Sequence, residues 1–218
     1  MHARPVHVRR LHVQTGDRRR LRVEVAGDGG RVVVAHVGSP NAGRAFGRWL
    51  DDAAARDLTL VTYDRPGYVE STAQPGRTVA NCASDLQAIA AAVGFDRCAV
   101  WGFSGGGPHA LAAAALAPDL VTAVATIGSL HAGLAPGVQG WTADDLAFHS
   151  PWGFTPASIA VPARLWHSRD DGFVRFRHGE WLVDAIPGAE RAFGETDGHL
   201  SLAGEQIGVV HEWLARHI

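Results

Sequence analysis

Short continuous runs of apolar residues, each bounded by turn-forming residues, constrain the fold of this 218-residue chain more than any other feature. A run without polar alternation is typical of a β-strand that is buried on both faces. The runs are RVVVAHV (31–37), LTLVTYD (58–64), CAVWGF (98–103), LVTAVATIG (120–128) and PARLWHS (162–168), and AERAFGE (189–195) predicts a last strand. Because helical patterns separate most of them, we expect a mostly parallel sheet with helices on both faces.

The remaining segments complete an α/β pattern. Helices are predicted at about 43–56, 79–93, 106–117, 176–186 and 202–217. Before the first buried strand, VHVRRLHVQ (6–14) and RLRVEVAG (20–27) alternate apolar and polar residues around a turn, which predicts an antiparallel hairpin. We therefore expect one domain, residues 1–218, with a central sheet of about eight strands. An insertion at 129–160 interrupts the alternation of strands and helices. Within this insertion, TADD (142–145) predicts a capping box and a short helix.

Composition excludes several classes of protein. Hydrophobic residues make up 46% of the chain, and the net charge of −2 contains no block of like charge, so we expect no nucleic acid and no membrane as partner. Since no segment approaches the roughly 18 apolar residues of a membrane span or resembles a signal peptide, we expect a cytoplasmic protein. Cys82 and Cys98 lack metal-ligand spacing, so we predict reduced core cysteines and neither a metal nor a cofactor.

A single serine stands among glycines where a predicted strand becomes a predicted helix, in WGFSGGG (101–107). GFSGG matches G-x-S-x-G, the pattern of a nucleophile elbow, in which a strained turn lifts the serine hydroxyl clear of the sheet. Gly102 and Gly106 leave room for the strand to pack on the helix, and the Gly105 N–H lies where it would donate to an oxyanion. The alternative, a phosphate-binding loop, is disfavoured because Ser104 is not preceded by the Gly-Lys pair of such loops.

Segments on both sides of the elbow resemble those of the α/β-hydrolase fold family, in the same order and over nearly the whole chain. HVGSP (36–40) resembles the oxyanion loop after the third strand, and YDRPGYVES (63–71) resembles the loop after the fourth. HSRDDGFV (167–174) resembles the segment that carries the triad acid, and DGH (197–199) the loop that carries the triad histidine. Val69 stands where the family usually has a glycine.

The resemblance implies roles for individual residues. Ser104 would be the nucleophile, and His199 the base that takes its proton and returns it to the leaving group. Asp171 would hold the imidazole in the correct tautomer, with Asp170 as the alternative acid. The chain order Ser, Asp, His is that of this fold.

The oxyanion loop departs from the family motif. Aligned on Pro40, the second oxyanion donor is the Ser39 N–H, and aligned on the preceding histidine it is the Gly38 N–H. Both therefore stay candidates beside Gly105. His109, in the first turns of the elbow helix, is assigned a structural role.

The insertion at 129–160 is too short for the helical lid that many family members carry, so we expect a reduced cap and an open site. The residues predicted to line the substrate pocket are Phe103, His131, Trp141, Phe148 and Trp152. The aromatic residues of the insertion either form an apolar wall of the pocket or seal the insertion onto the sheet. A reduced cap would also expose apolar surface that a second subunit could cover, so a homodimer is a further possibility.

Several functions fit this set of residues. We predict a serine hydrolase that cleaves a carboxylic ester, thioester or lactone of a small molecule through an acyl-enzyme. An alternative on the same triad is a non-hydrolytic enzyme, either a lyase, a perhydrolase or a biosynthetic acyltransferase or cyclase. A binding protein without activity is disfavoured, because binding gains nothing from a strained serine.

Overall fold

The computed structural model describes residues 6–130 and 139–218. Eight strands form one sheet in the order β1-β2-β4-β3-β5-β6-β7-β8. They are β1 (Val8–Gln14), β2 (Arg20–Ala26), β3 (Arg31–His36), β4 (Leu58–Tyr63), β5 (Cys98–Phe103), β6 (Val121–Ile127), β7 (Ala163–Ser168) and β8 (Glu190–Gly194). The β1–β2 and β2–β4 pairs are antiparallel and every other pair is parallel. The predicted fold class, including the antiparallel N-terminal hairpin, is confirmed.

Helices cover both faces of the sheet. They are α1 (Gly47–Ala55), α2 (Cys82–Val93), α3 (Gly107–Leu116), α4 (Gln139–His149), α5 (Arg177–Ala185), α6 (His199–Glu205) and α7 (Ile207–Ala215). One hydrophobic core packs α2, α3 and α5 on one face, and a second packs α1, α6 and α7 on the other. Along β3, Val32 and Val34 enter the first core while Val33 and Ala35 enter the second. Both faces of the strand are therefore apolar, which explains its continuous apolar sequence.

Helix α1 begins at Gly47, later than the predicted start at 43. The reason is the close approach of Gly43 to the end of β4. A Cβ on Gly43 would lie 1.8 Å from the Tyr63 carbonyl oxygen. The backbone N–H of Gly43 donates to Asp64 Oδ1 at 2.7 Å. The residues before α1 are thus tied to the neighbouring strand and do not continue the helix.

The predicted capping box in the insertion is wrong. Helix α4 starts at Gln139, so Thr142 lies inside the helix and cannot cap it. Asp144 is fully buried, so its side chain faces the protein interior. This carboxylate has tertiary partners, described below, that the local pattern does not predict.

The C-terminal helix pattern at 202–217 corresponds to two helices, α6 and α7, which meet at Gln206. Helix α6 starts earlier than predicted, directly after Gly198, so that His199 is its first residue. Among the described residues, no helix is long and apolar enough to cross a lipid bilayer.

Both cysteines are buried and unpaired, as predicted. The Cys82 thiol donates to the His109 carbonyl oxygen at 3.0 Å, which ties α2 to α3. Burial raises the pKa of the Cys98 thiol to about 12, so this side chain stays a protonated core residue at neutral pH.

The carboxyl ends of the parallel strands meet at one edge of the sheet, which is where α/β folds place their ligand sites. The loops after β3, β5, β6, β7 and β8 carry, in that order, Ser39, Ser104, Gly128, Asp171 and His199. Residues far apart in the sequence are therefore brought to one edge.

Candidate functional site

Ser104 occupies the sharp turn between β5 and α3. Its φ of +51° lies in the left-handed region that non-glycine residues rarely adopt. The flanking glycines leave no room for side chains. A Cβ on Gly102 would lie 2.3 Å from the Gly106 carbonyl oxygen, and one on Gly106 would lie 1.8 Å from the His36 carbonyl oxygen. The turn has the strained geometry of a nucleophile elbow because strand, helix and the end of β3 pack this closely.

Asp171 and His199 form a hydrogen-bonded pair beside this turn. His199 Nδ1 lies 2.7 Å from Asp171 Oδ2. The other carboxylate oxygen, Oδ1, accepts the backbone N–H groups of Phe173 at 2.9 Å and Val174 at 2.8 Å. Burial on its own raises the pKa of Asp171, but these hydrogen bonds outweigh it and hold the pKa below the ordinary value. Asp170, the alternative acid, is an exposed residue.

The geometry around His199 determines which ring nitrogen is available. Because the ionised Asp171 carboxylate only accepts, Nδ1 carries the proton and Nε2 is left with a free lone pair. The ring contacts two phenyl rings, with centroid distances of 4.7 Å to Phe103 and 5.3 Å to Phe173. His199 is therefore held by two ring contacts as well as at Nδ1.

Ser104 and His199 line the same cleft, which has a volume of about 640 Å³. Phe103 and Phe148, two of the predicted pocket residues, also line it. Other walls are formed by Leu130, Phe173, Val174 and Leu200, with Arg175, Arg177 and His178 on the polar side. Among the described residues, no group of three or more His, Cys, Asp or Glu side chains is arranged to hold a metal ion.

The structure does not bring Trp152 to this cleft. Its ring stacks on Phe154 at a centroid distance of 5.7 Å, and its carbonyl oxygen accepts the Ala80 N–H at 2.9 Å. Trp152 and Phe154 both pack on the core beneath α2 and α3, so they seal the insertion onto the sheet. His131 lies outside the described residues, and of Trp141 only its place in α4 is described.

The candidate oxyanion donors lie close to the elbow. A Cβ on Gly105 would be 3.1 Å from the Ser39 backbone nitrogen and 2.6 Å from Ser39 Oγ, so only glycine fits there. A Cβ on Gly38 would be 3.1 Å from Ser104 Cβ. Within residues 6–130 and 139–218, nothing accepts a hydrogen bond from the Ser39 N–H. The Ser39 and Gly105 backbones thus face one another next to Ser104.

A buried carboxylate cluster beneath the oxyanion loop escaped the sequence interpretation. Asp144 of α4 is fully buried, and its Oδ2 accepts from Arg65 Nη2 at 2.6 Å, Tyr68 OH at 2.7 Å and Ser39 Oγ at 2.5 Å. Its Oδ1 accepts from Arg77 Nη2 and, at 3.3 Å, from Arg65 Nε. We name these residues the Asp144 cluster. They come from three separate segments, namely the loop after β3, the connection between β4 and α2, and helix α4, so no local pattern links them.

Charges within the Asp144 cluster are strongly coupled. Burial on its own raises the pKa of Asp144, but the charges of Arg65 and Arg77 outweigh it and hold the pKa well below the usual range. Burial raises the pKa of the Tyr68 hydroxyl to about 12, so it remains a donor to Asp144. The cluster therefore consists of one carboxylate between two guanidinium groups, with every carboxylate oxygen hydrogen-bonded.

His109 connects the cluster to the elbow. Its Nδ1 lies 2.9 Å from the Gly105 carbonyl oxygen, and since a carbonyl only accepts, Nδ1 carries the proton. Its Nε2 is 3.4 Å from Arg77 Nη1, which donates to it. Burial, together with the Arg65 charge, holds the pKa of His109 well below its ordinary value, so the ring is neutral. The structural role predicted for His109 consists of this link.

Residues 31–193 match a family model described as alpha/beta hydrolase fold. The chain belongs to the α/β-hydrolase fold family. No curated protein matches the sequence of this α/β-hydrolase-fold chain.

Solved structures of other family members share the fold. An esterase from Exiguobacterium antarcticum aligns with a TM-score of 0.80 at 17% identity, over 93% of this chain and 98% of that one. A thermophilic esterase from Thermogutta terrifontis aligns with a TM-score of 0.76 at 17% identity, over 96% of this chain and 100% of the esterase chain. An enol-lactonase from Burkholderia xenovorans aligns with a TM-score of 0.75 at 17% identity, over 95% of this chain and 99% of the lactonase chain. At this identity the similarity is one of fold.

Proposed function

We propose that this α/β-hydrolase-fold protein is a serine hydrolase that cleaves carboxylic esters, thioesters or lactones of small molecules. The observation that carries the proposal is the hydrogen-bonded Asp171–His199 pair in the same cleft as Ser104, which sits in a strained turn. Strain at a serine is retained where the surrounding structure holds it for a purpose, and here the turn aims the hydroxyl into the cleft.

Acylation begins when Ser104 Oγ attacks the carbonyl carbon of the substrate and His199 Nε2 accepts the hydroxyl proton. The carbonyl oxygen becomes an oxyanion, stabilised by the N–H groups of Gly105 and Ser39. We favour Ser39 over Gly38 because the Ser39 nitrogen lies beside Gly105, 3.1 Å from the position of an added Cβ. Collapse of this intermediate breaks the bond to the alcohol or thiol, which leaves with the proton from His199.

Deacylation repeats these steps with water. His199 Nε2 takes a proton from the attacking water and returns it to Ser104 Oγ as the second tetrahedral intermediate collapses and releases the acid. Asp171 stays ionised throughout, holds the ring in one tautomer and stabilises the imidazolium. Its two backbone hydrogen bonds, from Phe173 and Val174, keep the carboxylate oriented towards His199.

Hydrolysis of p-nitrophenyl acetate, butyrate and octanoate by the purified chain tests the proposal, with Ser104→Ala as the matched variant. We expect turnover by the wild type and a loss of about 10⁴-fold or more in kcat for Ser104→Ala, because the nucleophile is removed. Labelling by a fluorophosphonate, with the modified residue located by peptide mass spectrometry, should map to Ser104.

The outcomes separate the candidate functions. Labelling of Ser104 without ester turnover would favour a non-hydrolytic reaction on the same triad, such as acyl transfer or a lyase reaction. Neither labelling nor turnover, in protein shown to be folded by circular dichroism, would overturn both catalytic functions. Turnover that persists in Ser104→Ala would contradict the assignment of the nucleophile.

A further inference from the structure

We propose that Asp144, on helix α4 of the cap-like insertion, is a positioning residue that holds both backbone donors of the oxyanion hole. This inference rests on the proposed function. It assigns a role in catalysis to a helix that otherwise covers the site, and it depends on contacts from Asp144 to two separate loops.

The first connection runs to Ser39. The Ser39 hydroxyl donates to Asp144 Oδ2 at 2.5 Å and accepts from Arg65 Nη2 at 3.0 Å. Arg65 also donates to the carbonyl oxygen of Val37, two residues earlier in the same loop. The side chain of Ser39 is thereby held by two partners, while its backbone nitrogen lies 3.1 Å from the position of an added Cβ on Gly105 at the elbow. Fixing the side chain at one end fixes the direction of the N–H at the other.

The second connection runs to Gly105 through two side chains. Asp144 Oδ1 accepts from Arg77, whose Nη1 lies 3.4 Å from His109 Nε2. His109 Nδ1 then donates to the Gly105 carbonyl oxygen at 2.9 Å. Arg77 is the donor to both Asp144 and His109, and His109 accepts at Nε2 and donates at Nδ1, which its neutral ring allows. One carboxylate thus reaches the residue on each side of the oxyanion position.

The energetics of burial indicate that the cluster serves geometry more than stability. Asp144, Arg65 and Arg77 are all buried, and replacing buried ion groups by apolar residues is often neutral or stabilising. What such groups supply is a unique arrangement, since each charge accepts only a few partner positions. Here the partners of these charges lie in the oxyanion loop and, through His109, at the elbow. The sequence of the oxyanion loop, HVGSP, departs from the family motif.

Ser39→Ala is the sharpest test because it removes the hydroxyl and keeps the N–H. We expect kcat for p-nitrophenyl butyrate to fall about tenfold with KM within about twofold, since a loosened donor acts on the transition state. Affinity for an alkylboronic acid, which forms a tetrahedral adduct with the nucleophilic serine, should fall by a similar factor. Ser39→Thr, which keeps the hydroxyl, should restore most of both.

Ser71→Ala is the matched control. Ser71 is a buried serine whose hydroxyl donates to the Asp64 carbonyl oxygen and accepts the Arg22 N–H. Its backbone N–H, which the substitution keeps, donates to the Tyr68 carbonyl oxygen at 2.8 Å, so only hydroxyl contacts outside the Asp144 cluster are lost. The Ser71→Ala substitution should lower thermal stability without lowering kcat.

Asp144→Asn weakens both connections and should lower kcat on the order of 100-fold. Because Ser39 acts through Asp144, the double variant Asp144→Asn with Ser39→Ala should differ from Asp144→Asn alone by less than twofold in kcat. If Asp144→Asn does not fold, Ser39→Ala and Ser39→Thr still test the positioning role of Asp144.

Wild-type kcat and boronate affinity in Ser39→Ala, whatever its melting temperature, would overturn the role of Asp144. An equal loss of kcat in Ser39→Ala and Ser71→Ala would do the same, because it would indicate general destabilisation. Absence of labelling and turnover in the wild type overturns the proposed function, and this inference with it. Turnover in the wild type with an unchanged Ser39→Ala overturns this inference alone.

Discussion

Gly128 follows β6 beside the Asp171–His199 pair, where an added side chain would be in tight contact with both residues. Its φ is +54°, and an added Cβ would lie 3.0 Å from Asp171 Oδ2 and 3.1 Å from His199 Nδ1. We therefore expect Gly128→Ala to push the pair apart and to lower kcat about tenfold or more, because triad geometry tolerates only small displacements. Ester turnover and the rate of fluorophosphonate labelling of Ser104 measure this effect.

Gly94→Ala controls for backbone strain. Gly94 follows α2 with a φ of +92°, and nothing lies within 4 Å of an added Cβ. Both variants should lose about 1 kcal/mol of unfolding free energy from the left-handed conformation, but Gly94→Ala should keep wild-type kcat. Equal kcat in the two variants would contradict the proposed role of the Asp171–His199 pair.

Val69 adopts the conformation of the glycine that the family resemblance predicts at its position. Its φ is +41°, and its side chain is 65% exposed, so little packing compensates for the strain of a β-branched residue there. Val69→Gly should raise the free energy of unfolding by about 1 kcal/mol, and Val69→Ala by less. Urea unfolding at neutral pH measures the series. A loss of stability in both variants would indicate that contacts of the valine side chain outweigh the strain.

The loop after β7 holds His199 through Phe173. This phenylalanine is 81% exposed, yet its ring lies 5.3 Å from the imidazole and lines the cleft. Phe173→Ala should change stability by less than about 0.5 kcal/mol, as is usual for exposed positions. It should lower kcat severalfold, because His199 loses one of its two ring contacts.

Leu200→Ala is the control for Phe173. Leu200 lines the same cleft and is 72% exposed, but it forms no ring contact with His199. We expect its loss to raise KM for longer acyl chains and to leave kcat near the wild-type value. Steady-state kinetics with acetate, butyrate and octanoate esters separates the two effects, and an unchanged kcat in Phe173→Ala would rule out a positioning role for the ring.

Buried histidines make the stability of the folded chain sensitive to acid. Burial, with the Arg65 charge, lowers the pKa of His36 to about 3, and burial lowers the pKa of His109 well below its ordinary value. The unfolded chain binds protons at these residues below about pH 6.5 while the folded chain does not, so stability falls as the pH drops. Each histidine should contribute about 1.4 kcal/mol per pH unit, and for His36 this continues down to about pH 3.

Urea unfolding at pH 7, 6 and 5 measures this slope, and His36→Phe is the matched variant. Neither ring nitrogen of His36 has a hydrogen-bond partner among the described residues, and the ring packs edge-on against Tyr63 at 5.7 Å. A phenyl ring should keep that contact and reduce the mean slope between pH 7 and 5 by about 1 kcal/mol per pH unit, since protonation of the unfolded chain is incomplete near pH 6.5. An unchanged slope would mean that His36 is not the residue that takes up the proton.

Much of the fold and part of the candidate site were predictable because they follow from local rules. Continuous apolar runs give strands buried on both faces, and the hairpin shows the alternation of a half-buried pair. The elbow requires glycine on both sides of Ser104 for steric reasons that act within a few residues. The family pattern placed Asp171 opposite His199, and the structure pairs these two side chains.

The Asp144 cluster and the start of α1 required the folded chain. Arg65, Arg77 and Ser39 lie 79, 67 and 105 residues from Asp144 in the sequence, and no periodicity within a segment encodes those separations. Locally, TADD has the pattern of a helix cap at Thr142, but α4 begins at Gln139 and the Asp144 carboxylate is bonded by buried guanidinium groups from a distant segment. Local sterics and hydrophobic periodicity therefore set the elements and the elbow, whereas packing of distant loops set the charges beneath the oxyanion loop.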